Sequence, residues 1–170
     1  MRGGGVALVA CVVFAAAPSV AGWSLGVPSL VTLDGVGGVR PSMNVGQVER
    51  RFGVDLRLEN LGTDCKPAFF RSAPVRGYAI FIRGRLGSLW FERGAVTGRG
   101  IRIGSSLAEL RRAYRRVDVR KDKYVPAARN IFVRRARAPH WRLRFDVSPR
   151  GRVTRIAFGD STVFLVEGCA

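Results

Sequence analysis

Histidine is almost missing: His140 stands alone among 170 residues, and there are only three cysteines. So short a supply rules out a multi-histidine metal centre and leaves few ways to assemble a Ser-His-Asp or Cys-His arrangement. Acids are sparse as well, 12 against 29 basic residues, for a formal net charge of +17. Lysine accounts for just three of those bases and arginine for the other 26. No apolar run reaches the roughly 18 residues a bilayer span requires. Together these absences weaken most hydrolase and metalloenzyme readings, and they nominate no cofactor and no metal. What is present is a chain 47% apolar with 21 glycines. It suits one ordinary domain, or two small repeats sharing a core, and it is too apolar to be disordered.

The first residues, MRGGGVALVACVVFAAAPSVAG, read as a secretory signal. Arg2 precedes the apolar run Val6 to Ala17, Pro18 breaks it, and Ser19-Val20-Ala21 supplies small residues before a cut. Cleavage is expected after Ala21, releasing a secreted chain that starts at Gly22; the alternative is a protein anchored in the membrane by its uncleaved N-terminus. Leu8-Val9-Ala10-Cys11 has the form of a bacterial lipoprotein acylation site. Cutting there would leave too little chain for a charged and an apolar region, so Cys11 is read as part of the signal's apolar core. Cys65 and Cys169 then remain, an even pair in an exported chain, and the simplest expectation is a disulfide. Chain-entropy arguments give such a long loop closure roughly 4–5 kcal/mol. A redox-active pair would have its thiols close in sequence and at a helix N-terminus, which these do not.

After a glycine-rich stretch, 22–38, read as a tether or one irregular strand around Leu30 to Leu33, the chain repeats itself. Val39 to Phe52 recurs as Ile101 to Tyr114 at a constant offset of 62. In each copy a capping residue is followed three positions later by a side chain able to reach back, Asn44 with Gln47 and Ser106 with Glu109. Val45, Val48 and Phe52 share one helical face, as do Leu107, Leu110 and Tyr114. Two helices this short need a sheet to lie on.

Alternation of period two supplies that sheet. Tyr78, Ile80 and Ile82 alternate with Ala79 and Phe81, and beyond Gly84 come Leu86, Leu89 and Phe91. In the second copy Trp141, Leu143 and Phe145 alternate with Arg142 and Arg144; after Ser148-Pro149-Arg150-Gly151 follow Val153, Ile156 and Phe158. Tyr78 aligns with Trp141 and Phe91 with Phe158, so the second hairpin is the longer. Lys121 to Arg129 reads as a loop, Ile131 to Val133 as a further strand, and Val163 to Val166 as a C-terminal edge strand. The expected fold is α+β: two helix–β-hairpin repeats forming one antiparallel sheet with helices packed on one face. The divisions are a signal peptide (1–21), a tether (22–38), repeat 1 (39–96) and repeat 2 with the C-terminal strand (97–170). The other sheet face is left for solvent or a partner.

Gly100-Ile101-Arg102-Ile103-Gly104-Ser105-Ser106-Leu107 resembles the repeat start, G-[ILV]-x-[ILV]-G-[MSD]-[ST], of small outer-membrane assembly lipoproteins. The chain likewise resembles the exported tandem-repeat proteins of the β-lactamase inhibitory protein type. The likeness covers residues 39 to 166 in pattern, and the first copy departs from it, with Pro41 and Ser42 where Ile103 and Gly104 stand. It implies a concave sheet used to grip another protein. No segment here matches the family's inhibitory loops, so none of those residues is carried across.

Arginines cluster at Arg111, Arg112, Arg115 and Arg116, and again from Arg134 to Arg144. They fit either a polyanion site or a solvated surface encoded by a GC-rich genome. Arg142 and Arg144 must face one side of their strand and Trp141 the other; Asp146 shares the arginine side and is placed to pair with them. His140, among cations and with no positioned partner, is read as a rim residue. Gly98, Gly100 and Gly104 lack the strand–helix setting of a phosphate loop and read as a turn. Asp55, Glu59 and Asp64 form no carboxylate pair. The reading is therefore a non-enzymatic binding module for a protein or cell-envelope component, with Arg83, Arg85, Trp90, Trp141, Arg142 and Arg144 as contact residues, since Trp and Arg dominate hot spots. The alternative is charge-driven binding of nucleic acid, anionic lipid or an acidic polymer. Oligomeric state leaves no mark on the sequence. N-terminal sequencing of the exported protein is expected to begin at Gly22; a sequence beginning at Met1 contradicts the signal assignment.

Overall fold

A computed structural model describes residues 29–72, 75–135, 138–165 and Cys169. The signal segment 1–21 with Cys11, most of the tether, and Val166 lie outside them. Eleven strands and two α-helices follow in order: β1 (Ser29–Thr32), β2 (Gly35–Val36), α1 (Val45–Phe52), β3 (Arg57–Leu58), β4 (Cys65–Ser72), β5 (Val75–Ile82), β6 (Arg85–Arg93), β7 (Ala95–Thr97), α2 (Leu107–Ala113), β8 (Asp118–Lys121), β9 (Arg129–Arg135), β10 (Ala138–Val147) and β11 (Val153–Gly159). A 3-10 turn, Ser161–Phe164, comes after β11.

Both helices start as their sequences dictate. Asn44 Oδ1 accepts the Gln47 N–H at 2.9 Å while Gln47 Oε1 accepts the Asn44 N–H at 2.9 Å. Ser106 and Glu109 make the same reciprocal pair, and these bonds hold the Glu109 carboxyl below its ordinary range. The helices also stop early. Gly53, at φ 64°, closes α1 in the left-handed conformation that glycine adopts without penalty, and Tyr114 turns extended after α2.

The expected α+β layer of helix–β-hairpin repeats is overturned. The chain is mostly β: helices of eight and seven residues sit against an eight-stranded antiparallel sheet, ordered β3-β4-β5-β6-β11-β10-β9-β8, and a second sheet ordered β2-β1-β7. Each repeat carries a four-stranded meander where a hairpin was expected, joined in the second by the strand expected at Ile131 to Val133, because β3, β4 and β8 come from stretches without period-two alternation. Pro67 and the adjacent Phe69 and Phe70 interrupt any pattern in β4, and β8 reads Asp-Val-Arg-Lys. Nor do the helices alone cover the sheet. Val31, Val36 and Val39 of the small sheet and its flank join Val48, Phe52, Leu110 and Tyr114 in one core with Phe81, Leu89, Phe91, Phe145, Ile156 and Phe158. The apolar run at Val163 forms the 3-10 turn through Phe164, and no edge strand, since the Asp160 side chain accepts the Thr162 N–H and starts a tight turn.

The repeat itself is written in hydrogen bonds. Ser42 N–H donates to Leu86 O and Leu86 N–H to Met43 O; Gly104 N–H donates to Val153 O and Val153 N–H to Ser105 O. Ser42 holds φ 72° and Gly104 φ 92° at these matching positions, so the first copy carries the strained backbone with a serine. The strand order reads inward alike from both edges, and the central pair β6–β11 is antiparallel. The two repeats are thus related by rotation about an axis between these strands. Phe91 corresponds to Phe158, in agreement with the sequence alignment. Tyr78, however, faces Trp90 as Arg144 faces Ala157, so its counterpart is Arg144 and the pairing with Trp141 is displaced by three residues.

Candidate functional site

One face of the large sheet is buried under the core, and the chemistry lies on the other. Residues opposite one another in register share a face. A single row therefore crosses all eight strands: Arg57, Phe69, Tyr78, Trp90, Ala157, Arg144, Phe132 and Asp118. The symmetry axis passes between Trp90 and Ala157. The small Ala157 opposite leaves room for Trp90 to extend over β11 toward Arg144.

The row is continuous. Phe69 lies 5.7 Å from Tyr78, and Tyr78 stacks on Trp90 at 5.7 Å with the rings 7° from parallel. The Arg144 guanidinium sits 4.8 Å from the Trp90 ring centre and 5.7 Å from that of Phe132. Arg155 also covers Trp90, at 5.5 Å. The indole N–H donates to Ser88 Oγ at 2.9 Å, which satisfies its polar atom in the interior.

Arg144 is 2% exposed, an unusual position for a cation. Desolvating a guanidinium costs several kcal/mol unless every donor finds a partner. Here Nε donates to Asp146 Oδ1 at 2.7 Å, and NH1 to the carbonyls of Val163 at 2.8 Å and Leu165 at 3.3 Å. The other Asp146 oxygen accepts from Arg155 Nε at 2.7 Å. A planar fork between two rings, with carbonyls in reach, suits arginine and would not suit lysine. The same bonds hold down the chain after β11. Val163 is fully buried in the second apolar cluster with Ile80, Trp90, Phe132 and Ala157, and Phe164 packs on Phe132 at 4.7 Å. Gly87 admits this crossing: a Cβ there would meet Thr162 at 2.5 Å. The chain is then tied to β4 by the Cys65–Cys169 disulfide, Cα–Cα 5.3 Å.

The C-terminal segment thus covers Phe132 and Ala157 of repeat 2 and reaches Ile80 of β5 and the Cys65 end of β4 in repeat 1. On the repeat 1 half no described element crosses Phe69, which is 50% exposed, and Tyr78 is half-buried. Burial pushes the Tyr78 phenol up, with Arg155 opposing. Around them stand Arg57, Arg76 in an ion pair with Glu92 at 3.0 Å, and Arg155. Nearer β8, Arg120 and Arg134 share Asp118 Oδ2, at 3.0 and 3.5 Å.

The six contact residues expected from sequence do not form one patch. Trp90 and Arg144 come together, but inside the stack, at 2% exposure each. Arg142 is on their face, half-buried. Trp141 faces the opposite side, edge-on to Phe158 at 6.0 Å. Arg83 and Arg85 are exposed beside the β5–β6 turn, Arg83 bonded to Asp64 at 2.9 Å and Arg85 to the Ser42 carbonyl at 3.4 Å. His140 is exposed. Phe69, missed in sequence, had one signal: neighbouring Phe69 and Phe70 in a strand must face opposite sides, so one of them leaves the core. Among the described residues no group of three His, Cys, Asp or Glu side chains gathers to hold a metal. A hollow of about 240 Å³ between the 122–128 loop and the β10–β11 turn is bordered by Asp146 and Arg155, both already engaged.

No protein-family model matches the chain, and no curated protein matches it. Among solved structures, a cysteine-rich secretory protein from Staphylococcus aureus subsp. aureus Mu50 is similar at a TM-score of 0.46 and 11% identity. The similarity covers 74% of this chain and 46% of that one, so this chain spans less than half the length of the protein it matches.

A double-mutant cycle tests the buried ion pair. Arg144→Met alone is expected to cost about 3–5 kcal/mol in urea unfolding, because Asp146 loses a partner in the interior. Adding Asp146→Leu is expected to recover part of that cost; two additive losses would mean that the side chains act independently.

Proposed function

We propose that this protein is an exported, non-enzymatic binding module that holds an acidic protein partner against the open Phe69–Tyr78 part of its eight-stranded sheet. The observation that carries this reading is Phe69, half exposed at the end of the Phe69–Tyr78–Trp90 stack and ringed by Arg57, Arg76 and Arg155. Rigid aromatic rings supply contact area at little entropic cost, and arginine and tyrosine are enriched where binding energy concentrates. Stacking on Trp90 pre-orders Tyr78, so less freedom is lost on association. The guanidinium excess selects for acidic surfaces and speeds encounter with them. Export rests on the Arg2–Ala21 signal and is compatible with the Cys65–Cys169 disulfide, a bond that persists in oxidising compartments. The resemblance to the β-lactamase inhibitory protein type, with its gripping sheet, points the same way.

The test immobilises the oxidised protein, challenges it with envelope and medium extracts, nuclease-treated and untreated, at moderate salt, and titrates any retained protein in purified form. A stoichiometric acidic partner is expected, with affinity lowered roughly tenfold or more by Phe69→Ala and by Tyr78→Ala. Retention of nucleic acid or acidic polymer alone, released steadily as salt rises, would replace this reading with the charge-driven one.

A further inference from the structure

On the repeat 2 half of the same face three arginines meet across three strands. Arg134 of β9 and Arg142 of β10 are directly opposite in register. Like charges placed so destabilise a sheet. Arg120 of β8 joins Arg134 on Asp118 Oδ2, and its guanidinium and that of Arg142 lie 4.6 and 4.8 Å from the one ring of Phe164.

The charges around this cluster do not balance. Among the described residues Asp118 is the carboxylate within bonding reach, and its Oδ2 is already taken by Arg120 and Arg134. Among the described residues Arg142 has no carboxylate partner: NH1 donates to the His140 carbonyl at 3.2 Å, and the buried Nε has no acceptor there. Burial pushes its guanidinium below the ordinary range, Arg134 and Arg120 push the same way, and Asp118 and Asp160 oppose. Among the described residues, three cations face one bonded carboxylate, Asp118, with Asp160 acting without a bond, so positive charge is in excess, held in place by an aromatic ring. Arg120 and Arg134 remain about half exposed, so the cluster is open to solvent.

We infer that Arg120, Arg134 and Arg142 form a binding site for a phosphoryl group. A phosphate monoester carries about −1.5 to −2 at neutral pH with three acceptor oxygens, which suits the excess positive charge and the number of forks; a carboxylate would neutralise less of it. Phe164 fixes two of the three guanidiniums beforehand and lowers the ordering cost of binding. The site is separate from the aromatic surface at Phe69 and does not depend on a protein partner.

The probe is inorganic phosphate, titrated calorimetrically into the oxidised protein at ionic strength held constant with chloride. Saturable one-to-one binding is expected, with acetate not competing at equal concentration. Arg134→Gln and Arg142→Gln should each weaken it about tenfold or more, whereas Phe69→Ala leaves it unchanged. Without phosphate, Arg142→Gln is expected to unfold at the same or a higher temperature, because it removes a desolvated cation that lacks a bonded carboxylate among the described residues. Co-sedimentation with phosphatidate vesicles, reversed by free phosphate, would assign the phosphoryl group to a lipid headgroup; free phosphate binding without sedimentation would assign it to a soluble ligand. The inference fails if phosphate binds no more tightly than acetate, if Arg142→Gln binds phosphate unchanged, or if that variant unfolds at a lower temperature and so marks Arg142 as structural.

Discussion

The arrangement of the open face depends on one buried cation. Arg144 lies between Trp90 and Phe132, bonds Asp146 beneath the C-terminal segment, and donates to two carbonyls of that segment. Each contact answers a separate demand: the rings cover the guanidinium faces, the carboxylate balances the charge and accepts from Nε, and the two carbonyls accept from NH1. Removing any of them exposes the others to the cost of an unsatisfied ion in a low-dielectric interior. Arg144 therefore connects the two repeats through Trp90, and connects both to the end of the chain.

This constraint also explains why two similar repeats present unlike surfaces. Rotation about the axis between β6 and β11 would superimpose Trp90 on Ala157 and Tyr78 on Arg144. The divergence lets one indole, Trp90, serve both halves. The consequence is a division of labour across a single face. The repeat 1 half keeps open aromatic rings; the repeat 2 half is roofed by Phe164 and carries the crowded arginines. The disulfide closes a loop of 104 positions and restrains the roof, chiefly by limiting the unfolded chain.

Local chemistry was legible in the sequence wherever a neighbour in the chain decides the outcome. The paired caps at Asn44 and Ser106 are made as read, the stripes at Val48 with Phe52 and Leu110 with Tyr114 point inward, and Arg142 and Arg144 face away from Trp141. Asp146 does pair with Arg144. The mostly-β architecture was hidden because β3 and β8 are edge strands, short or polar, and β4 has a proline and two adjacent phenylalanines; pairing with neighbours, which no local pattern records, makes them strands. Arg144 and Trp90 were read as surface contacts for a related reason. Burial of a charged or amphipathic side chain is decided by partners more than ten positions away, here Phe132, Val163 and Leu165. The register between repeats shifts at Tyr78 because β10 carries an irregularity between Ala138 and Arg142, three residues that β5 lacks, and only hydrogen-bond partners fix the match.

The Arg144 site itself is most directly tested by the Nε–H resonance of Arg144 in the ¹⁵N-labelled oxidised protein, assigned by its disappearance in Arg144→Lys. A proton held between two rings and bonded to a carboxylate is predicted to resonate apart from the other arginines and to exchange slowly with solvent. A resonance within the envelope of exposed arginines, exchanging at their rate, would contradict the buried cation and the organisation of the face built on it.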